Sequence, residues 1–310
     1  MKNIKFFLIL ILLITISIIA CQKSETPMNG VPQPTINSTY KFFSNQMAKA
    51  IQSNTVDVST SPVLPGNQGS MIQLNPNSFV DAYGNQVTGN VDIELIEAFD
   101  NSDMLMLNLP TVTDNGELLN SGGVVWMNAT QNGEQLQLNN SLTATIPVNN
   151  AITNAALFFG ETNTAGDFVW IQDTSNVTGD TVNWQVSISN LNWVNIDALA
   201  FPPGTQMATE VSVVLPNNIY DGTNTTVFMY FDNINSCLAL NCLSPGKFSL
   251  SVPIAVGESV KFGAMVNIDD QWSFGFTPSA LILDQHTDTI TYLNPMADQQ
   301  ALEIAISNAL

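Results

Sequence analysis

Short segments in which apolar and polar residues alternate are the feature that most constrains how this chain folds. Val91, Ile93 and Leu95 alternate with two acidic residues, and Leu136 and Leu138 alternate with glutamines further along the chain. A period of two predicts β-strands that have one buried face and one solvent-exposed face. The sequence therefore indicates strands that pack on a hydrophobic core.

Clusters rich in Gly and Asn separate these segments and predict tight turns. The clusters are Tyr83-Gly84-Asn85, Asp114-Asn115-Gly116, Ser121-Gly122-Gly123 and Gln131-Asn132-Gly133. Asn and Gly readily adopt the positive φ that hairpin turns require. Short strands separated by frequent turns favour a β-sandwich over a parallel sheet.

Three motifs in residues 69–147 carry a resemblance to a known module. They are I-x-L-x-P-N-S-F-V-D-x-x-G-x-x-V-T-G-x-V-x-I-E at residues 72–94, L-L-N-S-G-G at residues 118–123 and A-T-Q-N-G-E-x-L-x-L at residues 129–138. Together they resemble a module common in surface lipoproteins of Gram-negative bacteria, which is similar to the β-sandwich shared by ankyrins and netrin receptors. The resemblance covers about residues 69–200. It implies a folding and interaction unit and supplies no catalytic residues.

The N-terminus has the organisation of a secretory signal peptide at residues 1–20, with Lys2 and Lys5 before an apolar segment. The segment ends in Ala20-Cys21, which resembles the lipobox of bacterial lipoproteins. That resemblance implies cleavage before Cys21 and attachment of palmitate or similar acyl chains, which together anchor a protein stably. The alternative is an uncleaved anchor with an incidental cysteine. Gln22 after the cysteine implies the outer membrane and leaves the periplasmic or cell-surface side undetermined.

The rest of the chain divides at its Pro-rich and Gly-rich segments. Residues 21–37 form a lipidated tether, because their composition cannot bury a core. Residues 38–201 form a first β-sandwich unit with an N-terminal extension that includes a short amphipathic helix, and Pro202-Pro203-Gly204 marks the boundary. Residues 205–310 form a second β-sandwich unit that ends in a helix. The predicted fold class is all-β, with two sandwich units in tandem and a short C-terminal helix.

The charge balance excludes some partners. The chain has 26 acidic and 7 basic residues and a net charge of −19. Such a surface repels phosphate backbones, so nucleic acid is not an expected partner.

Two cysteines, Cys237 and Cys242, remain in the chain when Cys21 is lipidated. In an oxidising envelope, two nearby cysteines favour a disulfide that pins a small loop. A metal site would need more ligands than two thiols. A redox role is the remaining alternative.

Loops rich in Asp and Asn are the candidates for a structural calcium ion, the one cofactor that we consider. Calcium is coordinated by carboxylate, amide and carbonyl oxygens. The candidate ligands are Asp81, Asp100, Asp103, Asp269 and Asp270.

Tryptophans invite a second binding hypothesis, in which sugars stack on exposed aromatic faces. The candidate residues are Trp170, Trp184 and Trp193. Tryptophans in alternating strands are also common in cores, and that interpretation stays open here.

Catalytic patterns are sparse. His286 is the only histidine, and its neighbours predict a solvated hairpin tip. Acid pairs such as Glu94 with Glu97 are typical of a surface, although glycosidases also use two acids. The sequence therefore predicts a non-enzymatic cell-envelope lipoprotein that acts as a structural, adhesion or protein-interaction module. The alternative is a surface lipoprotein that captures a glycan or another nutrient. The expected partners are the membrane, through the lipid anchor, and an envelope or extracellular protein or glycan of unknown identity.

Overall fold

The computed structural model describes residues 38–164 and 166–310, which are mostly β-strand with three helices. The all-β class predicted from the alternating segments is confirmed. The predicted signal peptide, the lipidated Cys21 and the tether at residues 21–37 lie outside the described residues. None of the helices in the described part of the chain is long and apolar enough to span a membrane.

The first part of the chain, up to Leu199, contains two helices and fourteen strands. The helices are α1 (Tyr40–Ala50) and α2 (Asn101–Met106). The strands are β1 (Gln52–Asp57), β2 (Val63–Pro65), β3 (Met71–Gln73), β4 (Phe79–Val80), β5 (Asn90–Ala98), β6 (Leu119–Gln131), β7 (Glu134–Gln135), β8 (Gln137–Leu138), β9 (Leu142–Pro147), β10 (Ala156–Thr162), β11 (Phe168–Gln172), β12 (Thr178–Gly179), β13 (Asn183–Ile188) and β14 (Trp193–Leu199).

The second part contains nine strands and one helix, α3 (Gln299–Ala309). The strands are β15 (Glu210–Val214), β16 (Thr225–Phe231), β17 (Cys237–Ser244), β18 (Lys247–Ser249), β19 (Ser259–Ile268), β20 (Gln271–Phe276), β21 (Ala280–Leu281), β22 (Gln285–Thr289) and β23 (Asn294–Met296). The predicted boundary at Pro202-Pro203-Gly204 falls between β14 and β15. The predicted C-terminal helix is present as α3.

Two sheets of the first part face each other across one hydrophobic core. The seven-stranded sheet has the order β1-β5-β6-β14-β10-β11 with β7 beside β6, and the five-stranded sheet has the order β12-β13-β9-β3-β2. Val91, Ile93 and Leu95 of β5 are fully buried in this core, as the alternation predicts, and Ile72 and Ile146 contribute from the opposite sheet. The first part is therefore a β-sandwich.

One of the predicted turns is instead a β-bulge inside the long strand β6. Ile196 pairs with Gly123 and Asp197 pairs with Ser121, so Gly122 is an extra residue opposite β14. A Cβ atom on Gly122 would lie 2.9 Å from the carbonyl oxygen of Ile196, and Gly123 has a φ of 141°. Two consecutive glycines are needed here because the strand must bend at close approach to its neighbour.

The second part is one nine-stranded sheet that folds over a second core. Residues 237–240 of β17 pair with β16, whereas residues 241–244 pair with β18. The strand thus passes from one side of the core to the other. Phe248, Phe262 and Val227, which are almost completely buried, lie in this core, and Leu118 from the first part also joins it.

The N-terminal helix α1 lies against the nine-stranded sheet. The Phe42 ring lies 6.1 Å from the ring of Trp272 on β20, and Gln46 and Lys49 both donate hydrogen bonds to Glu303 on α3. The helix was predicted as an extension of the first unit. Its apolar side, with Phe42 and Met47, is buried, and the contact between Phe42 and Trp272 places the helix against the second part.

Candidate functional site

The predicted sugar-binding tryptophans do not form an exposed platform. Trp170 and Trp193 are both 0% exposed and belong to an aromatic cluster with Phe168, whose ring lies 5.1 Å from that of Trp170. Trp184 lies on the other sheet and packs against the first core. Since stacking needs an accessible ring face, the glycan interpretation is wrong for Trp170 and Trp193.

The five aspartates proposed as calcium ligands lie in three separate places. Asp81 accepts hydrogen bonds from its own turn, and Asp100 caps α2 through the N–H of Asp103. Asp269 and Asp270 form the turn between β19 and β20, both with positive φ. Residues 38–164 and 166–310 contain no group of three His, Cys, Asp or Glu side chains placed to hold a metal ion.

The disulfide predicted between Cys237 and Cys242 is wrong, because both thiols are free. The two residues lie five positions apart on the extended strand β17, which separates their Cα atoms by about 16 Å. A disulfide requires Cα atoms closer than about 7 Å. Cys237 is buried, which raises the pKa of its thiol to about 12, and Cys242 is exposed.

His286 was predicted at a solvated hairpin tip and lies instead inside a strand. It pairs with Val211 where β22 runs parallel to β15, and it is 7% exposed. Its ring stacks on Phe262 at 5.9 Å, and its Nε2 lies 4.0 Å from the Asp288 carboxylate. Burial lowers the pKa of His286, and the Asp288 carboxylate opposes this shift. The ring is part of the second core.

Glu97 is predicted to be a surface acid, but the residue is 4% exposed, and its carboxylate links segments at one end of the first sandwich. Its oxygens accept hydrogen bonds from the backbone N–H groups of Gln68 and Ser70, at 2.7 and 2.9 Å, and from the Gln52 amide at 2.9 Å. A Cβ atom on Gly66 would lie 2.3 Å from Glu97 Oε1. Glu97 therefore joins β5 to the loop between β2 and β3.

Asp197 is a second buried acid, and its partners are neutral. Its Oδ2 accepts a hydrogen bond from the Asn195 amide at 2.6 Å, and Asn195 Oδ1 accepts one from Ser121 Oγ at 2.9 Å. Burial raises the pKa of Asp197 well above its ordinary value, and the nearby polar groups of Ser121 and Gly122 only partly oppose this shift. A buried carboxyl without a cation favours its protonated form.

The two parts of the chain meet at Ser121 and Asn235. The Ser121 N–H donates to the Asn235 carbonyl at 2.8 Å, and the Asn235 amide donates back to the Ser121 carbonyl at 2.9 Å and to the Phe99 carbonyl at 3.1 Å. Thr111 and Ser236 share a further buried hydrogen bond. These contacts, which we call the polar junction, fix the nine-stranded sheet to β6.

An open groove of about 630 Å³ is lined by residues from both parts of the chain. The lining includes Phe43, Phe168 and Phe228, and also Ala239 and Cys242 of β17. We call it the junction groove. Its volume falls within the range of small-molecule sites, which are often found at domain interfaces.

Comparison with known proteins does not identify the chain: no protein-family model matches it, and no curated protein matches it. The resemblance to lipoprotein modules stays a prediction.

Sequence reasoning missed Glu97, Asp197 and the junction groove. Gly66 and the pair Gly122-Gly123 were the available signals, because each glycine marks a close approach that a side chain would block. The partners of these glycines are remote in sequence, so the pattern alone does not name them.

Proposed function

We propose that this protein is a non-enzymatic cell-envelope lipoprotein that acts as a structural, adhesion or protein-interaction module. The signal-like residues 1–20 and the lipobox-like Ala20-Cys21 support the anchored location. One observation carries the functional part of the proposal: the polar junction makes the two cores one body. Such a body presents fixed surfaces to a partner, as an interaction module requires.

Palmitate labelling and proteinase treatment of intact cells test this proposal. Wild-type protein incorporates palmitate, and the Cys21→Ala variant does not, because the thiol is the acyl acceptor. Removal of the labelled protein from intact cells by proteinase places it on the cell surface, where adhesion partners are sought. Protection from proteinase places the same module in the periplasm. Absence of label from the wild type contradicts the proposal.

Ligand capture is the second candidate function, and the junction groove is the observation that favours it. Its size and its partly apolar lining would suit an apolar compound, and Cys242 in the lining provides a reporter. A bound compound would shield this exposed thiol from alkylation, whereas Cys237 is already protected by burial.

Alkylation of the full chain with and without the neutral apolar dye N-phenyl-1-naphthylamine tests the groove. Mass spectrometry measures the modification of each cysteine separately. Ligand capture predicts that the dye slows modification of Cys242 and that Ala239→Trp, which fills the groove, removes this protection. Equal rates of Cys242 modification with and without dye argue against the groove as a site for apolar compounds.

A further inference from the structure

The outer face of the five-stranded sheet has an unusual composition. Alternate residues of its strands point into the first core, as Ile72, Ala144 and Val186 do, and the others point outward. The registers align the outward residues in two rows across the strands. One row is Ser187, Thr143, Gln73 and Val63, and the other is Thr178, Gln185, Thr145, Met71 and Pro65.

No strand of this sheet contains a charged residue, although the protein has a net charge of −19. The seven-stranded sheet carries Asp92 and Glu94 on β5, and the nine-stranded sheet carries Glu210 on β15 and Lys261 on β19. The outer face of the five-stranded sheet is therefore a neutral area on a strongly acidic molecule.

Side chains in the middle of this face have unused hydrogen-bonding groups. Thr143, Gln185 and Ser187 are exposed, and Thr145 is half-buried. Unlike Thr55 or Asn128 on the seven-stranded sheet, these four side chains have no hydrogen-bond partner among the described residues. Hydroxyl and amide groups both donate and accept, so the rows offer both kinds of group to a partner.

Several partner classes fit this face poorly. It spans about 20 Å by 15 Å, or roughly 300 Å² from strand spacing and rise. A stable dimer buries about 800 Å² on each copy. Protein hot spots are rich in Trp, Tyr and Arg, none of which occurs in the two rows. The strands of this face carry no charged side chain that could pair with a charged polymer.

We propose that the outer face of the five-stranded sheet binds a neutral, hydroxyl-rich polysaccharide. Such a chain carries donors and acceptors and no charge to desolvate, so it matches the rows in chemistry, and it can lie along an open flat surface. The site is distinct from the buried tryptophans. The inference rests on the proposed adhesion or interaction function and names its partner class.

Depletion of the full chain from solution by insoluble cellulose and chitin, with alginate as an anionic comparison, tests the proposal. Wild-type protein is retained by at least one of the neutral polymers and not by alginate. Thr145→Asp and Gln185→Asp each weaken retention about tenfold. The bound polymer would remove water from the new carboxylate and offer no cation in its place, which opposes binding. Thr145→Ser keeps the hydroxyl and retains binding.

Gln172→Asp is the matched control, since it makes the same change as Gln185→Asp at an exposed strand position of the seven-stranded sheet, where the paired residue, Phe158, is uncharged. Equal loss of binding in Gln172→Asp and Gln185→Asp overturns the proposal, as does absence of wild-type retention on both neutral polymers. Self-association of the wild type that Thr145→Asp abolishes also overturns it and assigns the face to a second copy. Palmitate labelling is independent of these results, so failure here leaves the anchored module itself standing.

Discussion

Single residues explain why two acids lie inside this acidic protein. Glu97 has the same parity on β5 as the core residues Ile93 and Leu95, so the alternation places it on the inner face although it is acidic. Asp197 has the opposite parity to the core residues Val194 and Ile196 on β14, so the pattern predicts an outward, solvent-exposed position for it. Their burial depends on partners that are distant in sequence, namely the loop at Gln68 and the bulge at Ser121. Local periodicity predicts the strand and the face of each residue, but not which distant residues bury an acid there.

Asp197→Asn should remove a pH dependence of stability. Burial raises the pKa of the Asp197 carboxyl, so its stabilising contribution is complete below the unfolded pKa of about 3.9 and is lost as pH rises toward the folded value. Urea unfolding at several pH values should therefore show wild type losing stability relative to Asp197→Asn above about pH 4.

Asp180→Asn is a control with the opposite sign. The N–H groups of Val182 and Asn183 lower the pKa of the exposed Asp180 carboxyl. Its contribution is present above the unfolded pKa and is lost as pH falls. A difference between wild type and Asp197→Asn that is constant across pH would contradict the neutral, buried carboxyl.

Gly66→Ala should destabilise the first sandwich. The new Cβ would overlap Glu97 Oε1 and displace the carboxylate from its donors, at a cost of about 1–3 kcal/mol in the free energy of unfolding. Gly222→Ala is a suitable comparison, because its Cβ would meet only the Cys242 Cβ at 3.3 Å. Similar unfolding midpoints in urea for the two variants would show that the hydrogen bonds of Glu97 are not required for stability.

At the scale of elements, the sequence predicted the helices α1 and α3 and several hairpin turns, because these depend on local patterns and on Gly and Asn. The turn predicted at Ser121-Gly122-Gly123 became a bulge, since glycine clusters mark any sharp backbone bend and not turns alone. The short helix α2 was missed, because Asp100 and Asp103 were interpreted as metal ligands and not as a cap with its donor.

Two substitutions in α1 should differ in their effect on stability, because one removes a buried contact and the other an exposed one. Phe42→Ala should cost about 3–5 kcal/mol in the free energy of unfolding, because the ring is fully buried against Trp272. Lys49→Ala, in the same helix, should cost less than about 1 kcal/mol, because its ion pair with Glu303 is largely exposed. Equal losses in urea unfolding would contradict the packing of α1 on the nine-stranded sheet.

The two cysteines of β17 should differ in their rates of alkylation. Under native conditions, iodoacetamide should modify Cys242 much faster than Cys237, whose thiol is buried and has a raised pKa. Peptide mass spectrometry reads each site separately. An oxidised, native chain in which Cys237 and Cys242 are linked would contradict the extended strand.

At the scale of the whole molecule, the sequence indicated two β-units, and the structure joins them through residues far apart in the chain. Ser121 and Asn235 contact each other across more than a hundred positions, and α1 reaches α3 from the opposite end of the chain. Contacts between residues so far apart leave no recognisable pattern in the local sequence. For the same reason, the sequence did not predict the junction groove or the uncharged outer face of the five-stranded sheet, because both are formed by residues from several strands.

The polar junction makes the two cores one body, and urea unfolding with two reporters tests this directly. Four of the five tryptophans lie in the first part of the chain, so their fluorescence reports mainly on that part. Pulsed alkylation of Cys237 reports on the nine-stranded sheet. One shared midpoint for both reporters is the predicted result, because cooperative units unfold together. Two well-separated midpoints would contradict the single body.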